Sequence, residues 1–259
     1  MDLRELQSNW DTLGKEDPLW AILSFEEKRG NKWDPVEFFR LGEKEIGEVM
    51  QYVSHLNLGS ARHSALDFGC GVGRLTQPLA NYFSNVTGID IAPSMIARAR
   101  TLDRDQRCRF VLNEHADLSL FPDNTFDFIY SNIVLQHMQP QYSTAYIREF
   151  CRVLKSGGIA IFQLPSKGKL AVGARTWKDV IRPLIPSPVL VFYRQRRNRL
   201  SPAQSPRAEG TGARSEMHPV PKDQVIELVK VSACRLVEAI ENEASGPNFE
   251  SWRYCVVKP

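Results

Sequence analysis

One stretch constrains this chain more than any other: Ala65-Leu66-Asp67-Phe68-Gly69-Cys70-Gly71-Val72-Gly73-Arg74-Leu75-Thr76. A short apolar run ends in an acid, and a glycine-dense turn then opens an amphipathic segment. That order predicts a strand, a tight loop and a helix N-terminus. Glycines supply positive φ and leave no Cβ in the way, so backbone can pass very close to a ligand. The helix start adds oriented N–H donors.

Spacing separates two readings of such a loop. A dinucleotide site needs G-x-G-x-x-G, but here the glycines fall at 69, 71 and 73, and Arg74 takes the third position of that pattern. No P-loop Lys-Ser/Thr follows. The next acid at a strand end is Asp90, in Asn85-Val86-Thr87-Gly88-Ile89-Asp90-Ile91. An acid about 20 residues past the loop, closing a second strand, is where doubly wound folds read a ribose diol. Three later blocks follow. They are Phe121-Pro122-Asp123-Asn124-Thr125-Phe126-Asp127-Phe128-Ile129-Tyr130-Ser131, then Val134-Leu135-Gln136-His137, then Arg148 to Gly158 leading into Ile159-Ala160-Ile161-Phe162. In these blocks and in their order the chain resembles the class I S-adenosylmethionine (SAM) dependent methyltransferases, strongly over residues 60–165 and more weakly over the last 40.

Hydropathy patterning gives the fold class without that resemblance. Strand-like runs at 64–68, 85–90, 108–112, 126–131 and 158–164 alternate with helical runs at about 74–83, 93–103 and 140–155. Such alternation predicts an α/β, Rossmann-like doubly wound sheet. A helix from Pro221 to Ala233 and strands at about 234–241 and 250–257 close the chain. The sheet then has about seven strands, mostly parallel, and the resemblance implies that the last two form an antiparallel C-terminal hairpin. Residues 1–60 read as an N-terminal helical segment covering the cofactor site. In it Asp34-Pro35-Val36-Glu37 is a strong helix start. The cofactor-binding core is 61–164, and 221–259 completes it. Residues 165–220 break the alternation and sit where the resemblance implies a lid insertion, with Trp177, Phe192 and Tyr193 available to an acceptor pocket or to packing the lid, and a basic run at 194–199.

Site roles follow from the resemblance. Gly69, Gly71 and Gly73 let the loop pass against the amino-acid half of SAM. Asp67 receives the ammonium of that half, or else stabilises the loop. Arg74 pairs with the SAM carboxylate, or else faces solvent. Asp90 accepts both ribose hydroxyls and Ile91 packs on adenine. The adenine edge is read after the third strand, with Asp117 and Leu118 the candidates among residues 115–118. The usual Gly-Asp-Ala is absent there, which leaves the register open. Ser131 and Asn132 approach the methionine chain. His137, just past the fourth strand, is the best-placed titratable group for a general base, and His218 is a second candidate. Packing is the alternative for both. Phe39 and Gly42 lie over SAM, or belong to a helix packed on the sheet.

Composition limits the partners. A net charge of +3 over 259 residues is too small to argue for nucleic acid. No Asn-Pro-Pro-Tyr motif follows the fourth strand, so RNA or protein methylation is the alternative rather than the main reading, as is a SAM-binding protein without catalysis. The acceptor expected is a small molecule, metabolite or natural product. Membrane-surface contact through 177–199 is disfavoured by prolines at 183, 186 and 188. The five cysteines form no C-x-x-C pair and no metal-ligand spacing, so no metal is expected. With no signal-like start and no apolar run of spanning length, the expectation is a cytoplasmic monomer or homodimer.

Overall fold

The computed structural model describes residues 1–58, 61–103, 106–168 and 216–259. Three helices come first: α1 (Leu3–Glu16), α2 (Pro18–Ile22) and α3 (Pro35–His55). Then come β1 (Ser64–Phe68), α4 (Thr76–Leu79), β2 (Asn85–Asp90), α5 (Pro93–Leu102), β3 (Cys108–Leu112), β4 (Phe126–Ser131), α6 (Pro140–Val153) and β5 (Leu154–Gly168). The described chain ends in α7 (Lys222–Val231), β6 (Arg235–Asn242) and β7 (Phe249–Val257).

The seven strands form one sheet in the order β3-β2-β1-β4-β5-β7-β6. The four pairings among β1 to β5 are parallel, and β7 runs antiparallel to both β5 and β6. The strand order reverses between β1 and β4, and ligands of open α/β sheets bind at such a switch point, beyond the C-terminal strand ends.

Period-two alternation sorts the central side chains onto two buried faces. Leu66, Phe68, Ile129, Ala160 and Phe162 pack on one side with Ile147, Phe150, Val225 and Val229 of α6 and α7. Ala65, Phe128, Tyr130, Ile159 and Ile161 pack on the other with Ile46, Val49 and Val53 of α3. Both faces are dry, so the central strands carry no polar alternation. Asp127 is one exception, at the strand start. It accepts from Ser64 N (2.7 Å) and Lys155 Nζ (3.0 Å), tying β4 to the start of β1.

The helix starts follow their caps. Asp2 and Glu5 form a reciprocal capping box on α1. Asp34 accepts from Glu37 N at 2.8 Å with Pro35 in the first turn of α3. Two expectations need correction. The helix expected over 74–83 shrinks to Thr76–Leu79, because Arg74 is drawn to Glu45, Thr76 Oγ1 donates to Asp67, and Pro78 has no N–H to give. The strand expected at 158–164 extends to Leu154–Gly168, since Leu154 pairs with Phe126 and the ladder to β7 continues to Gly168↔Phe249. Most of the expected lid, including Trp177, Phe192, Tyr193 and the basic run 194–199, lies outside the described residues. Among the described residues no helix is long and apolar enough to cross a membrane.

Candidate functional site

A cleft with about 1010 Å³ of empty space, solvent at its mouth included, opens over the C-terminal ends of β1, β2 and β4. Its floor is the glycine turn after β1. Gly69, Gly71 and Gly73 all have positive φ. A Cβ on Gly69 would lie 2.4 Å from the methyls of Val134, so the turn after β4 sits directly on the loop.

Asp90 closes β2 at the cleft wall. Its Oδ2 accepts from Gly71 N (2.8 Å) and its Oδ1 from Ala92 N (2.9 Å). The carboxylate therefore clamps the glycine turn. Each oxygen has two acceptor positions, so one on each remains for a ligand hydroxyl. Burial pushes the Asp90 carboxyl up from its ordinary range, and the backbone amides of Ala92, Gly71 and Ile91 oppose that shift. Ile91 and Met95 give the same wall an apolar surface.

Arg74 also reaches the cleft, with only 5% of its surface exposed. Its Nη2 pairs with Glu45 Oε2 at 2.9 Å, while its Nε is buried without a hydrogen-bond partner. Glu45, on α3, also accepts from Tyr130 OH (2.9 Å) and Asn132 Nδ2 (2.8 Å). An orphaned guanidinium nitrogen at a cleft wall suits a carboxylate. With the diol-ready Asp90 and the apolar Ile91 and Met95, this donor set fits SAM.

Other expected site residues stand elsewhere. Asp67 is 1% exposed and accepts from Thr76 Oγ1 at 2.6 Å, the loop-stabilising alternative. Burial pushes its carboxyl up to about 7, with Thr76 and Arg74 acting the other way. Ser131 donates to Phe68 O at 3.2 Å, beneath the cleft. Asp117 is exposed and accepts from Ser119 N, and Leu118 is fully buried in the core. The residue of the β3 end that does line the cleft is Asn113. Phe39 and Gly42 do not cover it. Phe39 packs with Trp20, Trp33 and Phe38, and Gly42 abuts the Arg74 backbone. The cover is α1 and α2, through Leu3, Leu6, Trp10, Ala21 and Ile22. The 3–6–10 spacing of α1 announces one apolar face but not the surface it meets.

His137 lines the cleft, but its ring is engaged on both sides. Nδ1 lies 2.9 Å from Glu216 O, a carbonyl that only accepts, so Nδ1 carries the proton. Nε2 then accepts from the Gln136 amide at 3.1 Å, and the ring meets Trp10 edge-on at 5.2 Å. Burial pushes its basicity down to about 4 from 6.5. These contacts place it as a packed, neutral histidine. His218 is outside the cleft wall: its N donates to Gln136 O (2.7 Å) and its Nε2 contacts Glu216 Oε2 (3.2 Å).

The depressed His137 value has a sign that can be tested. The folded state binds this proton less readily than the unfolded state, so stability is intact above about 6.5 and falls as pH drops toward 4. The full loss is about 3 kcal/mol at one pKa unit per 1.36 kcal/mol. Chemical denaturation at pH 7 and pH 4.5 should show a steeper decline for wild type than for His137→Gln. Equal slopes would sink this assignment.

The family described as a methyltransferase domain matches residues 66–162. The 2-methyl-6-phytyl-1,4-hydroquinone methyltransferase of Synechocystis sp. is 38% identical over 100 residues, covering 38% of this chain and 30% of the relative. The trans-aconitate 2-methyltransferase of Delftia acidovorans is 31% identical over 136 residues, 51% of this chain and 49% of the relative. The ubiquinone biosynthesis O-methyltransferase of Xanthomonas oryzae pv. oryzae is 29% identical over 193 residues, 67% of this chain and 70% of the relative. The chain thus spans about a third to a half of the length of the first two. Among solved structures, magnesium protoporphyrin IX methyltransferase from Synechocystis with bound S-adenosylhomocysteine shares the fold over 100% of both chains, at TM-score 0.61 and 16% identity.

Proposed function

We propose that this chain, whose residues 66–162 match the methyltransferase-domain family, is a class I SAM-dependent methyltransferase that moves a methyl group from SAM to an oxygen, nitrogen or carbon nucleophile of an apolar small molecule and releases S-adenosylhomocysteine. The observation that carries the reading is the Asp90 carboxylate clamping Gly71 N at the wall of the switch-point cleft, beside the orphaned Arg74 Nε.

SAM supplies a methyl group already activated by a positive sulfur, so alignment and exclusion of water matter more than acid–base help. The residues divide that work. Asp90 accepts the two ribose hydroxyls. Arg74, held by Glu45, takes the carboxylate of the methionine end. Ile91 and Met95 pack on the adenine, and Asn113 replaces Asp117 and Leu118 at its edge. Helices α1 and α2 exclude water from above.

An apolar acceptor is supported by the rest of the wall. Leu3, Leu6, Trp10 and Met138 contribute side chains without charge. Arg74 and Asp90, the charged side chains of the described wall, are already engaged, and His137 is neutral. The relatives named for a phytyl hydroquinone and for ubiquinone biosynthesis point the same way, and the trans-aconitate enzymes do not.

Calorimetric titration with SAM and S-adenosylhomocysteine tests the cofactor, with NAD and ATP as controls. Binding of the first pair alone is expected. Binding of NAD or ATP without SAM would overturn the reading. A labelled-methyl screen should then favour quinols and phenols, and preference for polycarboxylates or RNA would overturn the apolar acceptor.

A further inference from the structure

The turn between β4 and the short 3-10 turn Leu135–His137 contains a conformation that needs an explanation. Ile133 lies in the left-handed region, at φ 60°. A β-branched side chain is among the least tolerant of that region. Asn132 and Ile133 both line the cleft, and Val134, which lines it too, rests on Gly69. Conformations of this kind persist only where surrounding structure over-determines them.

The over-determining group is a glutamine in the middle of β5. Gln163 is 1% exposed, in a strand whose neighbours are apolar. Its Oε1 accepts from Ile133 N at 3.1 Å. Its Nε2 reaches Ser245 Oγ (2.7 Å) and Ser251 Oγ (2.8 Å), and lies 3.1 Å from Gln136 Oε1. The serines pass the pattern on. Ser245 Oγ donates to Gln136 Oε1, and Ser251 Oγ donates to Asn242 Oδ1, both at 2.8 Å. Gln136 Nε2 then donates to His137 Nε2. Every hydroxyl and amide in the chain accepts on one side and donates on the other. The network therefore has one orientation, and it leaves the Gln163 carbonyl facing Ile133 N. A buried amide is costly unless all its partners are present, and here they come from β7, the β6–β7 loop and the turn after β4.

Resting on the methyltransferase reading, we propose that Gln163 is a positioning residue for methyl transfer: it holds Ile133 in the left-handed conformation and thereby sets the Asn132-Ile133-Val134 turn against the methionine end of the cofactor. Asn132 is aimed by two links, its own amide to Glu45 and this backbone turn. Gln163 itself does not line the cleft.

The test uses the full chain and SAM carrying a 13C-labelled methyl. Wild type should give one sharp bound methyl resonance. Gln163→Leu, which removes the acceptor of Ile133 N, should broaden or split that resonance and weaken SAM about tenfold. Ile133→Gly in the same background should recover a single resonance, since glycine adopts this conformation without strain. A wild-type resonance and affinity in Gln163→Leu would overturn the proposal. If Gln163→Leu does not fold, the Gln163→Leu/Ile133→Gly pair decides: folding with a single resonance supports the positioning role. Failure of both to fold leaves Gln163 a core residue only and overturns the role. Absence of SAM binding by wild type would instead overturn the methyltransferase reading.

Discussion

Asp90→Ala is expected to abolish measurable binding of SAM and S-adenosylhomocysteine at concentrations that saturate the wild type. Two effects combine. The variant removes the acceptors proposed for both ribose hydroxyls. It also frees Gly71 N and Ala92 N, which the carboxylate holds at 2.8 and 2.9 Å. Hydrogen bonds to a charged group contribute roughly 1.5–3 kcal/mol each, so losing the ligand pair alone costs about 3 kcal/mol or more. That is at least a hundredfold in affinity at about 1.4 kcal/mol per decade. Asp90→Asn separates the two effects, because one amide oxygen can still accept while its nitrogen faces a backbone N–H. It should bind more weakly than wild type and more tightly than Asp90→Ala. Calorimetry reads both, and Asp90→Ala binding within threefold of wild type would remove Asp90 from the site.

Gly42→Ala is expected to destabilise the protein, although alanine in a helix interior ordinarily gains about 1 kcal/mol over glycine. A Cβ at this position of α3 would lie 2.2 Å from the Arg74 carbonyl oxygen and 2.9 Å from Arg74 Cγ. The obstacle is backbone, held from below by the glycine turn, so it has little room to yield. Overpacking of this kind costs typically 1–3 kcal/mol and at times more. A net loss near 2 kcal/mol lowers Tm by about 4–8 °C in a chain of this size. Affinity for SAM should fall as well, because Arg74 moves with its carbonyl. Gly47→Ala on the same helix is the control: its Cβ would find only Tyr82 OH, at 3.9 Å, so it should be neutral or stabilising. Thermal denaturation of the two variants reads opposite signs. A rise in Tm for Gly42→Ala would mean that α3 does not press on the Arg74 turn.

These two positions differ in how far the sequence discloses them. Asp90 stands out in one dimension, as an acid closing an apolar run at a fixed interval after a glycine turn. Gly42 is one glycine in an amphipathic helix, and its importance depends on a backbone oxygen 32 residues away. The same division runs through the site. Four strands, 64–68, 85–90, 108–112 and 126–131, have the bounds their hydropathy announces; β1 and β4 are buried at every position, while β2 and β3, toward the sheet edge, are buried only in part. The glycine turn is equally legible, because positive φ is a local demand that few residues meet. The helix expected over 74–83 failed for the opposite reason: Arg74 and Thr76 form contacts to Glu45 and Asp67 that local propensity does not register.

What the sequence by itself determined is the doubly wound alternation and the acid and glycines at the switch point, since periodicity and backbone conformation are properties of neighbouring residues; the antiparallel direction of the C-terminal hairpin is fixed by strand pairing. Tertiary structure alone decided which groups face the cleft. It turned Asp67 inward to Thr76, put Asn113 where Asp117 was expected, engaged both nitrogens of His137, and laid α1 rather than α3 across the opening. Each of those outcomes is a choice between partners distant in sequence. An apolar or polar face states only that a partner is required, and packing geometry selects which one.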